Sequence, residues 1–195
     1  MKLSSFQDAA MALQQAGVVG VLPTDTVYGL VARASDPAAV KRLYALKSRE
    51  HKPGTLIAAN VDQLAHLGLK PRYLKAVIDY WPGPISIIIP CGPELAYLHD
   101  GLDSLAVRLP DDSELVKVLL QTGPLLTSSA NLPGQPVANT VSEADAYFGE
   151  QVDFYVDEGD LSGNLPSTIV HVIDDAIEVL RQGAVKIAMN APVDE

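Results

Sequence analysis

Val18-Val19-Gly20-Val21-Leu22 runs directly into Pro23-Thr24-Asp25-Thr26-Val27-Tyr28-Gly29-Leu30, and this stretch decides the fold. The apolar, β-branched run predicts a buried strand. The polar side chains that follow have little packing reason to be there, and ligands of α/β sheets bind where strands end. The sequence therefore predicts a ligand site after this strand. The alternative is a turn in which Asp25 and the threonines bond to local backbone groups.

Helix and strand patterns alternate outward from this stretch, which predicts one α/β domain. Capping residues and apolar spacing predict helices that begin near residues 5, 36, 60, 71, 112 and 140. Further strands are predicted at residues 55–59, 85–89, 105–109, 124–127, 152–156, 168–173 and 177–180. The strand-rich C-terminal third indicates a mixed sheet. We expect residues 1–188 to form the domain and residues 189–195 to be a tail.

Bulk composition is that of a compact globular protein. The chain has 195 residues, 48% hydrophobic and 19% charged, which suits one domain with a sizeable core. No apolar run approaches the length of a membrane span, and the N-terminus turns polar too early for a signal peptide. The single cysteine, Cys91, cannot form an internal disulfide, so we expect a cytoplasmic protein.

Charge is unevenly distributed along the chain. Residues 1–108 hold 11 Lys and Arg against 9 Asp and Glu (+2), whereas residues 109–195 hold 3 against 15 (−12). The total of −10 argues against loose, charge-driven binding to nucleic acid. Lys47, Arg49 and Lys52 form the tightest basic cluster, which suits a polyphosphate better than a single carboxylate. The alternative for this cluster is a solvated helix end.

Several common sites are missing from the sequence. It contains no Walker A motif, no G-x-G-x-x-G fingerprint and no G-x-S-x-G elbow. The four histidines lie apart without the spacing of metal ligands, so no metal-binding residue is predicted.

Three later segments add polar groups to predicted strands. Arg108 lies within the apolar run of residues 104–109, where a buried charge needs an anion or a set of carbonyls. An internal salt bridge is the alternative role for this arginine. Residues 128–131 (Ser-Ser-Ala-Asn) follow a strand and suit either a ligand or a turn. Ser167 begins a strand, and Arg181 ends the next one.

Taken together, these segments resemble the YrdC/Sua5 (TsaC) family of threonylcarbamoyl-AMP synthases, in its short single-domain form. The resemblance spans residues 6–187. Its motifs are PTDTVYGL at 23–30, KSR at 47–49, KPGTL at 52–56, WPGPISIII at 81–89, SLAVRLP at 104–110, SSANLPGQP at 128–136, PSTIV at 166–170 and LRQG at 180–183.

The resemblance implies a fold and a reaction. The fold would be an open, twisted, mixed β-sheet flanked by helices, with a large concave cavity. The reaction would join L-threonine, bicarbonate or CO2, and ATP into L-threonylcarbamoyl-AMP and pyrophosphate, with Mg²⁺ expected beside ATP. Downstream threonylcarbamoyl-transferase proteins would use the product to form N6-threonylcarbamoyladenosine at position 37 of tRNA.

The resemblance also implies roles for individual residues. Lys47 and Arg49 would be catalytic and would face the phosphates. The residues implied for threonine are Thr24, Tyr28, Arg108, Ala130 (by its backbone) and Ser167. Those implied for ATP are Lys47, Arg49, Lys52, Ser104, Ser129, Asn131, Thr140 and Arg181.

Three other functions stay open at this point. One is a double-stranded RNA or tRNA-binding module of the same fold without synthase activity, although only 6% of the residues are aromatic. Another is a YciO-like paralogue with a changed substrate, against which the intact KSR and SSAN segments weigh. The third is a structural subunit of a modification complex.

Overall fold

The computed structural model describes residues 3–47, 52–173 and 176–187. Within these residues the strands are β1 Leu3–Ser4, β2 Val19–Pro23, β3 Tyr28–Arg33, β4 Thr55–Ile57, β5 Ile85–Pro90, β6 Ser104–Arg108, β7 Leu125–Ser129, β8 Phe154–Val156, β9 Thr168–Ile173 and β10 Ala176–Arg181. The α-helices are α1 Phe6–Leu13, α2 Pro37–Leu46, α3 Val61–Leu67, α4 Pro71–Ala76, α5 Ala96–His99, α6 Ser113–Thr122 and α7 Val141–Phe148. Short 3₁₀ turns cover Ile78–Tyr80, Pro93–Leu95 and Gly149–Gln151. The predicted tail, residues 189–195, lies outside the described residues.

Side-chain caps begin most of the helices at the predicted positions. An oxygen of the capping side chain accepts a hydrogen bond from a backbone N–H of the first turn, which would otherwise lack a partner. At α7, Thr140 caps the helix, while the Glu143 carboxylate accepts from the Asn139 N–H at 2.6 Å. The confirmed caps are Ser5, Asp36, Asn60, Asp112 and Thr140.

The stretch from residue 18 to residue 33 is a β-hairpin. β2 pairs antiparallel with β3, so the polar residues 24–27 form the turn between two strands. The predicted strand over residues 18–22 is confirmed with a one-residue shift, but β3 was not anticipated. Its residues Gly29-Leu30-Val31-Ala32 are apolar without alternation, because both faces of this central strand are buried.

The ten described strands form one mixed sheet in the order β1-β8-β2-β3-β7-β4-β6-β5-β9-β10. The sheet contains both antiparallel pairs (β2/β3, β3/β7, β4/β7, β5/β6, β9/β10) and parallel pairs (β1/β8, β2/β8, β4/β6, β5/β9). The prediction of a mixed sheet flanked by helices is confirmed. No helix among the described residues is both long and apolar enough to cross a membrane.

Helices cover the two faces of the sheet unequally. On one face, apolar side chains of the central strands pack against α2, α3, α4, α5 and α7 in the larger core. On the other face, α1 and α6 cover a smaller core that includes Leu22, Val31, Ile57 and Leu125. Beyond these two helices the same face carries hydroxyls and arginines, which leaves a polar concave region open to ligands.

Gly54 lies against the backbone of β7 at the edge of this region. A Cβ atom at residue 54 would be 2.5 Å from the Thr127 carbonyl oxygen and 3.2 Å from Leu126 Cδ1. We therefore expect Gly54→Ala to lower the free energy of unfolding by about 1–3 kcal/mol, the usual cost of overpacking. Denaturant unfolding measures this change.

Gly163→Ala is the matched control, because a Cβ there meets nothing within 4 Å. We expect it to alter stability by no more than about 0.5 kcal/mol. Equal stabilities of the two variants would contradict the close contact at Gly54.

Candidate active site

A cleft of ≈ 220 Å³ lies on the open part of the sheet, beside the turn of the β2–β3 hairpin. Its lining combines seven serine and threonine side chains with two arginines, Arg108 and Arg181, and contains no carboxylate among the described residues. The hydroxyl residues are Thr24, Thr26, Thr55, Thr127, Ser128, Ser129 and Ser167. Hydroxyls and guanidinium groups without carboxylates suit an anionic ligand.

Arg108 ends β6 and lies at the floor of the cleft. Its side chain is 4% exposed, and Nη2 is 2.9 Å from Oδ1 of Asp25, whose side chain is equally buried. Nε of Arg108 has no hydrogen-bond partner. A guanidinium has five N–H donors, so one close anion leaves most of them unused. The internal salt bridge, which was the alternative role for this arginine, is present. It still leaves guanidinium donors that can bind a ligand.

Burial and the ion pair act in opposite directions on both groups. Burial raises the pKa of Asp25, and the Arg108 charge partly lowers it again. Burial likewise lowers the pKa of Arg108, and Asp25 counteracts that shift. Each charge is therefore retained in the interior because the other is present.

Ser167 and Arg181 form a second polar group in the lining of the cleft. Arg181 donates from Nη2 to Ser167 Oγ at 3.0 Å and to Ser167 O at 2.8 Å. Ser86 on β5 donates to Ser167 Oγ at 2.9 Å. These bonds join the ends of β9 and β10 to β5, and they hold the hydroxyl and the guanidinium at the same side of the cleft.

Lys47 follows α2, and its ammonium group lies inside the protein. The residue is 2% exposed, and Nζ donates to Ser129 O at 2.8 Å, to Asn131 O at 2.5 Å and to Asn131 Oδ1 at 2.7 Å. Ser129 Oγ also donates to Asn131 Oδ1 at 2.7 Å. An ammonium has three donors, so these contacts use all of them. Lys47 thus holds the end of β7 behind the cleft.

The hairpin residues Thr24 and Tyr28 line the cleft, but their hydroxyls have internal partners. Thr24 Oγ1 donates to Val27 O at 2.8 Å and lies 2.9 Å from Thr26 Oγ1. Tyr28 OH donates to Gly159 O and accepts from the Glu158 N–H, both at 2.9 Å. Burial raises the pKa of Tyr28, which keeps the phenol neutral. The two side chains therefore shape the wall of the cleft.

Other predicted residues lie near the cleft without lining it. The Ala130 N–H donates to Tyr28 O at 2.8 Å and its carbonyl accepts from the Ala138 N–H at 2.9 Å, so both backbone groups already have partners within the protein. Asn131 Nδ2 donates to Gln135 O, and Thr140 caps α7. Ser104 lies two residues before the lining residue Ala106, on the same face of β6. Lys52 is exposed and precedes the lining residue Pro53.

Arg49 lies outside the described residues, so its predicted role stays a prediction. The structure brings together the hairpin, β6, the end of β7, Ser167 and Arg181, which are far apart in sequence.

Asp25, Ser86 and the threonines on β4 and β7 were not among the predicted site residues. Asp25 belongs to the quoted PTDT motif, so its position was visible although its pairing was not. Thr55 and Thr127 face each other across the β4–β7 pair, a register that the sequence does not reveal. No group of three or more metal-ligating side chains occurs in the described part of the chain.

Comparison with known proteins gives the same fold and points to one family. A family model described as "Telomere recombination", that of Sua5, YciO and YrdC, matches residues 12–183. The threonylcarbamoyl-AMP synthase of Photobacterium profundum is 34% identical over 189 residues, 93% of this chain and 100% of that protein. That of Yersinia enterocolitica is 36% identical over 156 residues, 76% of this chain and 82% of that protein.

Solved structures agree with the sequence relatives. P. abyssi Sua5 complexed with L-threonine superposes with a TM-score of 0.81 at 28% identity, covering 91% of this chain and 54% of that one. This chain thus spans about half the length of that Sua5. E. coli YciO, at 22% identity, shares the fold with a TM-score of 0.78 over 93% of this chain and 90% of its own.

The fold and the cleft define an α/β protein with a buried arginine in a polar site on a mixed sheet, and the described lining of this site has no carboxylate. The chain belongs to the Sua5/YciO/YrdC family. Its curated relatives carry the name of a nucleotidyltransferase-type enzyme, so the family and the enzyme class predicted from the sequence are confirmed.

Proposed function

We propose that this chain synthesises L-threonylcarbamoyl-AMP and pyrophosphate from L-threonine, bicarbonate or CO2, and ATP. The observation that carries the proposal is the Arg108 guanidinium, which is buried at the floor of the cleft with most of its donors unused. Relatives of this chain are named for this reaction, and the solved structure of one of them is a complex with L-threonine. ATP is the nucleotide that the family uses.

Threonine recognition is assigned to Arg108 and the surrounding hydroxyls. An amino-acid carboxylate can accept two parallel hydrogen bonds from a guanidinium, and a buried pair of this kind is strong because water does not compete. Ser167, which also lines the cleft, can bond a polar group of the same ligand. Thr24 and Tyr28 would shape the hollow that receives it.

ATP recognition is assigned to the basic and hydroxyl groups nearer the rim. Arg181 lines the cleft, and Lys52 is exposed next to it. The assignments of Arg49, Ser104, Asn131 and Thr140 rest on the family motif. Lys47 is assigned a different role, because its ammonium is occupied by the 129–131 segment: it holds this segment in place for the nucleotide.

The chemistry requires positioning and charge stabilisation more than proton transfer. The threonine amine forms a C–N bond to CO2 and loses a proton, which gives a carbamate that persists where water is excluded. A carbamate oxygen then attacks the α-phosphorus of ATP, and the bond from that phosphorus to the pyrophosphate oxygen breaks. Arginine and lysine side chains stabilise the negative charge that develops on the leaving pyrophosphate.

Mg²⁺ fits this site only as an ion bound to the phosphates of the nucleotide. The described lining contains no carboxylate that could bind the ion, so phosphate oxygens and water would be its ligands. No step is assigned to a protein-bound metal.

The test is pyrophosphate release by the full chain with ATP, Mg²⁺, L-threonine and bicarbonate. We expect release to need both threonine and bicarbonate, with threonylcarbamoyl-AMP detected by mass spectrometry. Omission of threonine is the control. Absence of threonine-dependent release, together with RNA binding that weakens steeply with salt, would instead support the RNA-binding alternative.

The further steps of the pathway remain part of the proposal. The product would pass to threonylcarbamoyl-transferase proteins that modify position 37 of tRNA. A cytoplasmic location, in contact with tRNA, suits this role.

A further inference from the structure

A buried ion pair separates the cleft from a second cavity. Arg108 lines the cleft, Asp25 lines the second cavity of ≈ 300 Å³, and Thr24 lines both. The second cavity is acidic, because Asp111, Asp112, Glu114 and Glu158 are also among its lining residues. Asp25 is not part of the cleft lining, and its carboxylate is paired with Arg108, which is part of that lining.

Asp25 is the group that determines where the Arg108 guanidinium lies. Within the described residues it is the sole ion-pair partner of Arg108, and no other side chain or carbonyl accepts a hydrogen bond from the guanidinium. A long side chain with one anchor takes its orientation from that anchor. Nε of Arg108 is buried and has no hydrogen-bond partner.

We infer that Asp25 is a positioning residue for threonine recognition, which it serves by holding the Arg108 guanidinium with one edge toward the substrate carboxylate. The inference rests on the proposed function, since it assumes that Arg108 binds threonine. Asp25 contacts Nη2 and Nε is buried, so the other N–H groups of Nη1 and Nη2 stay available for the substrate. The substrate carboxylate then meets a donor pair that is already oriented, which reduces the entropic cost of binding.

The pH behaviour follows from the same geometry. Burial raises the pKa of Asp25, while the Arg108 charge and a hydrogen bond from the Asp111 backbone lower it, and the Asp112 charge raises it. Asp111, Glu114 and Glu158 are the other acidic residues that line the cavity beside Asp25. Protonation of Asp25 in acid would remove the anchor. The Kd for L-threonine should therefore rise as the pH is lowered from neutral, the direction in which a carboxyl with a raised pKa takes up its proton.

The test compares Asp25→Asn with Asp111→Asn in the full chain. Asp111 is exposed and lines the same acidic cavity, but it does not pair with Arg108. We expect Asp25→Asn to raise the KM for L-threonine about tenfold or more and to leave the KM for ATP within about twofold. Asp111→Asn should change neither constant.

A second variant, Asp25→Glu, tests the inference in case Asp25→Asn does not fold. Asp25→Glu keeps the charge but moves it by one methylene, and we expect it to raise the KM for threonine about threefold or more without unfolding the chain. Wild-type KM values for threonine in Asp25→Asn would overturn the inference, as would equal increases in Asp25→Asn and Asp111→Asn. If Asp25→Asn does not fold, a wild-type KM in Asp25→Glu overturns it. Failure of the proposed function is distinct, because the wild-type chain would then release no pyrophosphate.

Discussion

Arg108→Met should abolish threonine-dependent pyrophosphate release, with kcat/KM for threonine reduced about 100-fold or more. Charged hydrogen bonds contribute about 1.5–3 kcal/mol each, and the substrate carboxylate would lose two of them. The same change leaves the Asp25 carboxylate buried without its cation, which costs about 3–5 kcal/mol of stability. Steady-state kinetics and denaturant unfolding at neutral pH measure the two effects.

The stability loss of Arg108→Met should depend on pH. Arg108 lowers the pKa of Asp25, so its removal lets burial raise that pKa further. A carboxyl whose folded-state pKa is raised stabilises the fold below its unfolded pKa and loses that contribution as pH rises through the folded pKa. The variant should thus be least stable, relative to the wild type, near neutral pH. A loss that grows as the pH falls would contradict this.

The double variant Asp25→Asn/Arg108→Met is the matched control for folding. It removes both charges, so most of the stability lost in Arg108→Met should return, whereas activity should not. Recovery of threonine-dependent turnover in the double variant would contradict a substrate-binding role for Arg108.

Lys47→Met should lower both stability and activity. The substitution leaves Ser129 O, Asn131 O and Asn131 Oδ1 without their buried donor, so we expect a loss of about 3 kcal/mol or more. The 129–131 segment would lose its anchor, and kcat/KM should fall about 100-fold through misplacement of the groups beside the cleft. Denaturant unfolding and pyrophosphate release measure the two effects.

Lys41→Met on the same helix is the control, because Lys41 is exposed and methionine is an equally good helix former. It should leave both stability and turnover close to those of the wild type. A Lys47→Met protein of wild-type stability without activity would favour direct phosphate contact by Lys47, as the family motif implies, over the supporting role proposed above.

Most helices and strands could be predicted because the signal for each of them, a cap or an apolar run, lies within a few neighbouring residues. Asp36-Pro37, Asn60 and Thr140 combine a capping side chain with a helix start, and the apolar run of residues 85–89 forms β5 almost as predicted. β3 and the two-residue β1 were missed, since their strand character comes from pairing with β7 and β8 and not from a local pattern.

The residues of the candidate site also divide into those that local motifs identify and those whose position depends on contacts between distant parts of the chain. Thr24, Arg108, Ser129, Ser167 and Arg181 were identified from their motifs, and all of them line the cleft. The interior position of Lys47 could not be read from a basic cluster, because a lysine near a helix end is equally compatible with solvent, a phosphate or the carbonyls of another strand.

By itself, the sequence determined the family, the alternating elements and most of the polar residues of the cleft, because motifs and caps are properties of neighbouring residues. Only the tertiary structure decided that Arg108 pairs with Asp25, that Lys47 holds Asn131, and that Arg181 bonds Ser167. Each of these contacts joins distant parts of the chain, and its strength depends on burial that appears when the sheet and its helices have packed.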